Sequence, residues 1–148
     1  WFDKSPQNVY GAAMIASDMP GAQFIHIVRD PMDVVSSLRI GKVMKVASIV
    51  GACNYWKEAA DIVHVIKKAF PDRVYEVRYE DFTRQPVVGI KALLTFLGED
   101  FDASHYKHMK IAPKCHKHAE IFSAEEIDQI RQLCLRWGRH YGYFSEAT

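Results

Sequence analysis

Arg29 is the residue whose type and position most directly predict chemistry in this sequence. Arg29 ends the short apolar run FIHIV, and Ser37 follows it by eight positions. A guanidinium beside the N-terminus of a helix binds phosphate oxygens well, because N–H donors and positive charge converge there. The position of Arg29 therefore predicts a phosphate site. The alternative reading is a surface arginine beside a helix and a solvated serine.

The elements around Arg29 are predicted to form a strand, a tight turn and a helix. The run FIHIV is rich in β-branched and aromatic residues and does not alternate cleanly, which is typical of a buried strand in a parallel sheet. Asp30 suits the N-cap and Pro31 the first turn of a helix that ends near Gly41. Arg29 then lies at the carboxyl end of a strand, where open α/β sheets bind ligands.

Further elements follow the same logic along the chain. Residues 74–79 alternate like a strand, and Gly98 closes a helix over 87–97. Residues 43–70 predict a helix whose apolar stripe includes Trp56, assigned to the core with an acceptor-pocket wall as the alternative. Ser123 to Glu126 form a capping box that opens the last helix.

Arg29-Asp30-Pro31-x-Asp33-Val34-Val35-x-Ser37 resembles the 3′-phosphate-binding segment of sulfotransferases that use 3′-phosphoadenosine 5′-phosphosulfate (PAPS). The resemblance implies that Arg29 and Ser37 hold the 3′-phosphate of PAPS or of adenosine 3′,5′-bisphosphate. Ser36 is one step off this spacing and would point roughly 100° away around a helix. The implied fold is an α/β, parallel-sheet, P-loop-NTPase-like sulfotransferase fold.

Two other segments resemble the same family, and a third receives a role from what members of the family commonly do. Lys4, in Asp-Lys-Ser-Pro, would lie near the transferring group, and the following Ser5 and Pro6 predict a helix start. Tyr79, in Tyr-Glu-Asp, would stack near the adenine, and the alternative is a tyrosine packed on a neighbouring helix. Lys114 and Lys117, in a basic stretch without helical periodicity, would close over the cofactor phosphates.

Two predicted strands are too few for a parallel sheet that must cover the apolar faces of several helices. We expect a single domain over residues 1–148 that corresponds to the C-terminal part of a sulfotransferase domain. The rest of the sheet would come from a preceding segment or from another copy of the chain. A Gly-rich phosphate loop does not occur in the sequence, so the 5′-phosphosulfate segment and the general base are also expected elsewhere.

Composition excludes several other classes. The net charge of +1 argues against a nucleic-acid partner, and the longest apolar runs are too short for a membrane span. The three cysteines, Cys53, Cys115 and Cys134, form neither a disulfide framework nor a zinc pattern, which favours a reducing, cytoplasmic location. The spacing of the four histidines in residues 105–118 is not that of a metal site. No metal is expected, since Lys and Arg can supply the positive charge.

The predicted function is transfer of a sulfuryl group from PAPS to a hydroxyl or amine of a small molecule, glycan or peptide. A truncated or non-catalytic nucleotide-binding or interaction domain of the same fold is the main alternative. A P-loop phosphotransferase is a third class, and it would prefer ATP with Mg²⁺ to a 3′-phosphorylated nucleotide.

Overall fold

The computed structural model describes residues 2–41, 44–113 and 118–145. Within these ranges the chain forms helices and one small parallel sheet of two strands, so the predicted α/β class is confirmed. Short 3₁₀ turns cover Pro71–Arg73 and Ala103–Tyr106. In chain order the elements are α1 (Asn8–Asp18), β1 (Phe24–Val28), α2 (Pro31–Ile40), α3 (Ile49–Ala69), β2 (Val74–Arg78), α4 (Tyr79–Arg84), α5 (Pro86–Leu97), α6 (His118–Ile121) and α7 (Ala124–His140).

Both predicted strands are confirmed, and they pair in parallel. The register places Phe24 opposite Val74 and Val28 opposite Arg78. Parallel neighbours need a crossover connection, which here includes helices α2 and α3. The carboxyl ends of β1 and β2 therefore lie at the same edge of the sheet.

Local capping explains where two helix starts differ from the predictions. Helix α1 begins at Asn8 and not at Pro6, because Ser5 oxygens accept from the amides of Gln7 and Asn8, both at 3.2 Å, in a turn that precedes the helix. Helix α3 begins at Ile49 and not at residue 43. The Ser48 hydroxyl accepts from the Gly51 amide at 3.3 Å and caps that end.

The other predicted boundaries agree closely with the structure. Helix α5 ends at Gly98, whose φ of 76° is the left-handed conformation that favours glycine. The capping box at the start of α7 is present. The Ser123 hydroxyl accepts from the Glu126 amide, and the Glu126 carboxylate accepts from the Ser123 amide. Tyr79 is the first residue of α4 and not the last of β2.

The chain divides into two compact units. The first contains Trp1–Val28 and Ile62–Lys114. Its core packs small residues of α1 and the end of α3 against one face of the sheet, so that backbone elements approach closely. The members are Ala12, Ala16, Val63, Ile66 and Val74, with Val9, Phe24 and Ile62 beside them.

On the opposite face of the sheet, a helix of the same unit packs against β2. Tyr75 packs against Phe96 of α5 with ring centroids 5.4 Å apart. On β1, Ile25 and Ile27 are 44% and 56% exposed. A cavity of about 310 Å³ opens beside Tyr75, lined mainly by α4 and α5.

The second unit contains Arg29–Asp61 and Cys115–Thr148. Helix α2 packs against α6 and α7. The most deeply buried side chains of this unit include Val35, Cys53, Ile130 and Cys134. Among the described residues, no helix combines the length and apolarity needed to cross a bilayer.

Candidate functional site

The turn after β1 fixes where Arg29 stands. Asp30 is the N-cap of α2, and its Oδ1 accepts from the Met32 amide at 2.7 Å. Pro31 takes the first helical position, where a missing N–H costs nothing because no intrahelical partner exists for it. Arg29 is thus held directly between the strand and the capped helix, as the sequence predicted.

The Arg29 guanidinium forms a close ion pair with Asp33. Its Nη2 and Nε donate to Oδ2 of Asp33 at 2.6 and 3.2 Å. The Asp33 side chain is only 8% exposed, so this pair is much less screened than a surface pair. Asp33 stands in the quoted motif, but no role was predicted for it. The i to i+4 spacing of opposite charges was the signal for this contact.

The backbone of Arg29 is held by a second contact. The indole Nε1 of Trp56 donates to the Arg29 carbonyl oxygen at 3.0 Å. Trp56 is 6% exposed and packs edge to face with Tyr141 at 6.5 Å between ring centroids. The core assignment of Trp56 is confirmed, but this hydrogen bond was missed. A buried indole N–H needs an acceptor, which was the available signal.

Ser36 and Ser37 differ sharply in environment. Ser36 is fully buried, and its hydroxyl donates to the Met32 carbonyl at 2.7 Å. Ser37, the residue predicted to hold the phosphate, is exposed on α2. Only Ser37 is therefore open to a ligand in solution.

His118 completes the surroundings of Asp33. Its Nδ1 lies 3.2 Å from Ser36 Oγ, and its Nε2 lies 3.7 Å from Asp33 Oδ1. No role was predicted for this histidine, because the histidines of its stretch lack metal-site spacing. Within the part of the chain that the structure describes, no group of three or more metal-ligating side chains is present.

The remaining predicted site residues lie elsewhere or beyond the description. Lys4 is exposed on the segment before α1, and Tyr79 is partly buried at the start of α4, both in the first unit. Arg29 and Ser37 belong to the second unit. Lys114 and Lys117 lie outside the described residues.

Two buried thiols in the second unit are packing groups. A hydrogen bond with Cys53, together with burial, raises the pKa of the Cys134 thiol well above its usual range. The same hydrogen bond lowers the pKa of Cys53, while burial opposes that change. Cys134 therefore stays protonated near neutral pH, which does not suit a nucleophile.

Comparisons with known proteins give one match. The family model described as "Sulfotransferase family" matches residues 1–103, which include β1, β2 and the whole of α2. Neither the curated proteins nor the solved structures that were compared gave a match. The matched range contains Lys4, Arg29, Ser37 and Tyr79 and ends before Lys114.

Proposed function

The chain belongs to the sulfotransferase family, and from this premise we propose that it binds PAPS through Arg29 and Ser37. In this proposal the two side chains hold the 3′-phosphate of the donor nucleotide. The reaction served is transfer of the sulfuryl group to a hydroxyl or amine of a small-molecule, glycan or peptide acceptor. The family match supports the reaction class, and the residues around Arg29 support the site.

The observation that carries the proposal is the way Arg29 is fixed. Its carbonyl accepts from Trp56 at 3.0 Å, and its guanidinium is oriented by Asp33 at 2.6 Å. A guanidinium that is already oriented loses less conformational entropy when it binds a phosphate. Such preorganisation is typical of residues that bind ligands.

The chemistry asks for positive charge and accurate placement. Sulfuryl transfer resembles phosphoryl transfer, in which in-line positioning and neutralisation of charge on the transferred group lower the barrier. Arg29 and Ser37 would anchor the nucleotide at its 3′-phosphate. Roles for Lys4 near the sulfuryl group, for Tyr79 at the adenine and for Lys114 and Lys117 at the phosphates stay predictions from the family resemblance.

Binding is tested by isothermal titration with adenosine 3′,5′-bisphosphate at pH 7. We expect Arg29→Ala to weaken binding at least about tenfold, because a charge-assisted hydrogen bond contributes roughly 1.5–3 kcal/mol. Arg131→Ala is the matched control, since Arg131 is an exposed arginine of α7 in the same unit. Its affinity should equal that of the wild type.

The proposed phosphate site is wrong if Arg29→Ala and the wild type bind the nucleotide equally well. A direct transfer assay with radiolabelled PAPS and a mixture of hydroxyl and amine acceptors separates binding from catalysis. Tight binding without transfer would favour the non-catalytic alternative.

A further inference from the structure

The contacts of His118 determine which ring nitrogen carries its proton. The Ser36 hydroxyl has one proton, and it donates that proton to the Met32 carbonyl at 2.7 Å. At 3.2 Å from His118 Nδ1, the Ser36 oxygen can therefore act only as an acceptor. Nδ1 is then the protonated nitrogen of the neutral imidazole, and Nε2 carries the lone pair.

That assignment turns the Nε2 lone pair towards a carboxylate. Nε2 lies 3.7 Å from Asp33 Oδ1, so in the neutral ring two acceptors face each other. When Nε2 takes up a proton, it becomes a donor that points at Oδ1. Protonation thus converts this contact into an attractive ion pair.

Asp33 connects this change to Arg29. Oδ2 accepts from the Arg29 guanidinium, and Oδ1 faces His118. With His118 neutral, one carboxylate balances one guanidinium. With His118 protonated, the same carboxylate is shared by two cations, and the group of three carries a net charge of +1.

We propose that Asp33 and His118 regulate the anion affinity of Arg29 according to pH. Asp33 orients the guanidinium and neutralises it, and a protonated His118 relieves that neutralisation. The inference rests on the proposed phosphate site, because it names how that site is regulated. An anion should therefore bind more tightly at pH 6 than at pH 8.

The other charged side chains of the described residues on α2, α6 and α7 make contacts of their own or lie at the surface. Arg39 of α2 pairs with Glu126 of α7 at 3.9 Å, although both are partly exposed. Asp30 caps α2 through the Met32 amide. Glu120, on α6 itself, is exposed. The sharing of Asp33 between Arg29 and His118 is therefore the contact expected to respond to pH.

The first test measures adenosine 3′,5′-bisphosphate affinity at pH 8 and pH 6 for the wild type and His118→Gln. Glutamine is polar but does not protonate, so it removes only the pH response. The nucleotide phosphates also titrate in this range. The measure is therefore the ratio of the wild-type affinity to the variant's affinity at the same pH. We expect that ratio to rise about fivefold on acidification, a change of the size expected for one added charge in a partly screened site.

Two further variants sharpen this test. His105→Gln removes an exposed histidine of the first unit and should leave the wild-type pH profile unchanged. Asp33→Asn should bind the nucleotide more tightly than the wild type at pH 8. In this variant, the further substitution His118→Gln should not alter how the affinity changes between pH 8 and pH 6. Equal ratios at pH 8 and pH 6 for the wild type and His118→Gln would overturn the proposal.

A second readout needs no nucleotide and keeps the two proposals separable. The ¹⁵N resonance of Arg29 Nε, observed by NMR in the ligand-free chain, should shift between pH 8 and pH 6 in the wild type. The same resonance should stay constant in His118→Gln. If the resonance does not shift in the wild type, the regulatory inference is wrong. If it shifts with pH but the nucleotide binds at neither pH, only the proposed phosphate site is wrong.

Discussion

Arg73 and Arg29 each border a strand of the same small sheet, yet their guanidinium groups are held in different ways. Arg73 precedes β2 and donates to three carbonyl oxygens at the end of α1 and just beyond it. The distances are 3.0 Å to Ala16, 2.8 Å to Met19 and 2.8 Å to Ala22. Carbonyls at a helix C-terminus lack intrahelical partners, so Arg73 satisfies groups that would otherwise need water.

Arg29 follows β1 and is oriented by a carboxylate. An arginine held by several neutral carbonyls is part of the fold, because those acceptors belong to backbone that cannot move away. An arginine held by a carboxylate has a partner that another anion can imitate. The difference indicates that acceptor type distinguishes a structural arginine from one suited to ligand binding.

The largest expected effect is on stability, at Arg73. We expect Arg73→Ala to lower the free energy of unfolding by about 3 kcal/mol, because hydrogen bonds to a charged group are lost together with its contact over the Phe70 ring. Urea denaturation followed by circular dichroism measures the change. Arg84→Ala is the control, since this exposed arginine only pairs with Asp81 on the surface and should change stability by less than about 0.5 kcal/mol.

If Arg73→Ala lowers the free energy of unfolding no more than Arg84→Ala does, the proposed difference between a structural arginine and a ligand-binding one is wrong. Arg29→Ala, by contrast, should lower nucleotide affinity as well as stability, because it also leaves the largely buried Asp33 carboxylate without its guanidinium partner.

A smaller effect is expected where the backbone of Arg29 is held. Trp56→Phe keeps an aromatic ring but removes the N–H that donates to the Arg29 carbonyl, which should cost about 1 kcal/mol of stability. Adenosine 3′,5′-bisphosphate should bind several-fold more weakly, because the strand end is less well fixed. Calorimetry measures both quantities.

Trp137→Phe supplies the matched comparison. Its indole donates to Asp61 at 2.9 Å, so the substitution removes a similar bond that does not involve Arg29. Similar losses of nucleotide affinity in both tryptophan variants would show that Trp56 has no particular influence on the site.

The smallest effects should separate two adjacent serines. Ser36→Ala removes a buried hydroxyl with two hydrogen-bonding contacts and should cost about 1 kcal/mol of stability. Ser37→Ala changes an exposed side chain, so unfolding should shift by less than about 0.5 kcal/mol. Its nucleotide affinity, measured by titration calorimetry, should fall several-fold. An unchanged affinity in Ser37→Ala would leave Arg29 without its predicted partner.

Local signals in the sequence predicted much of the frame around the site. The FIHIV run predicted β1, and Asp30 with Pro31 predicted the start of α2. Gly98 predicted the end of α5, because a left-handed residue there favours glycine. These features depend on residues within a few positions of one another, so a local pattern records them.

The contacts that orient Arg29 were harder to predict. Asp33 is four residues away and could have been found by its charge spacing. Trp56 and His118 reach the site through tertiary packing, across 27 and 82 residues of sequence separation in their contacts with Arg29 and Ser36. No periodicity or cap relates positions so far apart. Their roles could be read only from the folded chain.

The same separations rank the contacts by the chain entropy that each one costs. Closing a loop costs more as the loop lengthens, although the cost grows only with the logarithm of its length. The pair of Arg29 with Asp33 closes the shortest loop, the bond from Trp56 an intermediate one and the contact of His118 with Ser36 the longest. Of these three contacts, the one made by His118, the proposed sensor of pH, therefore costs the most chain entropy to form.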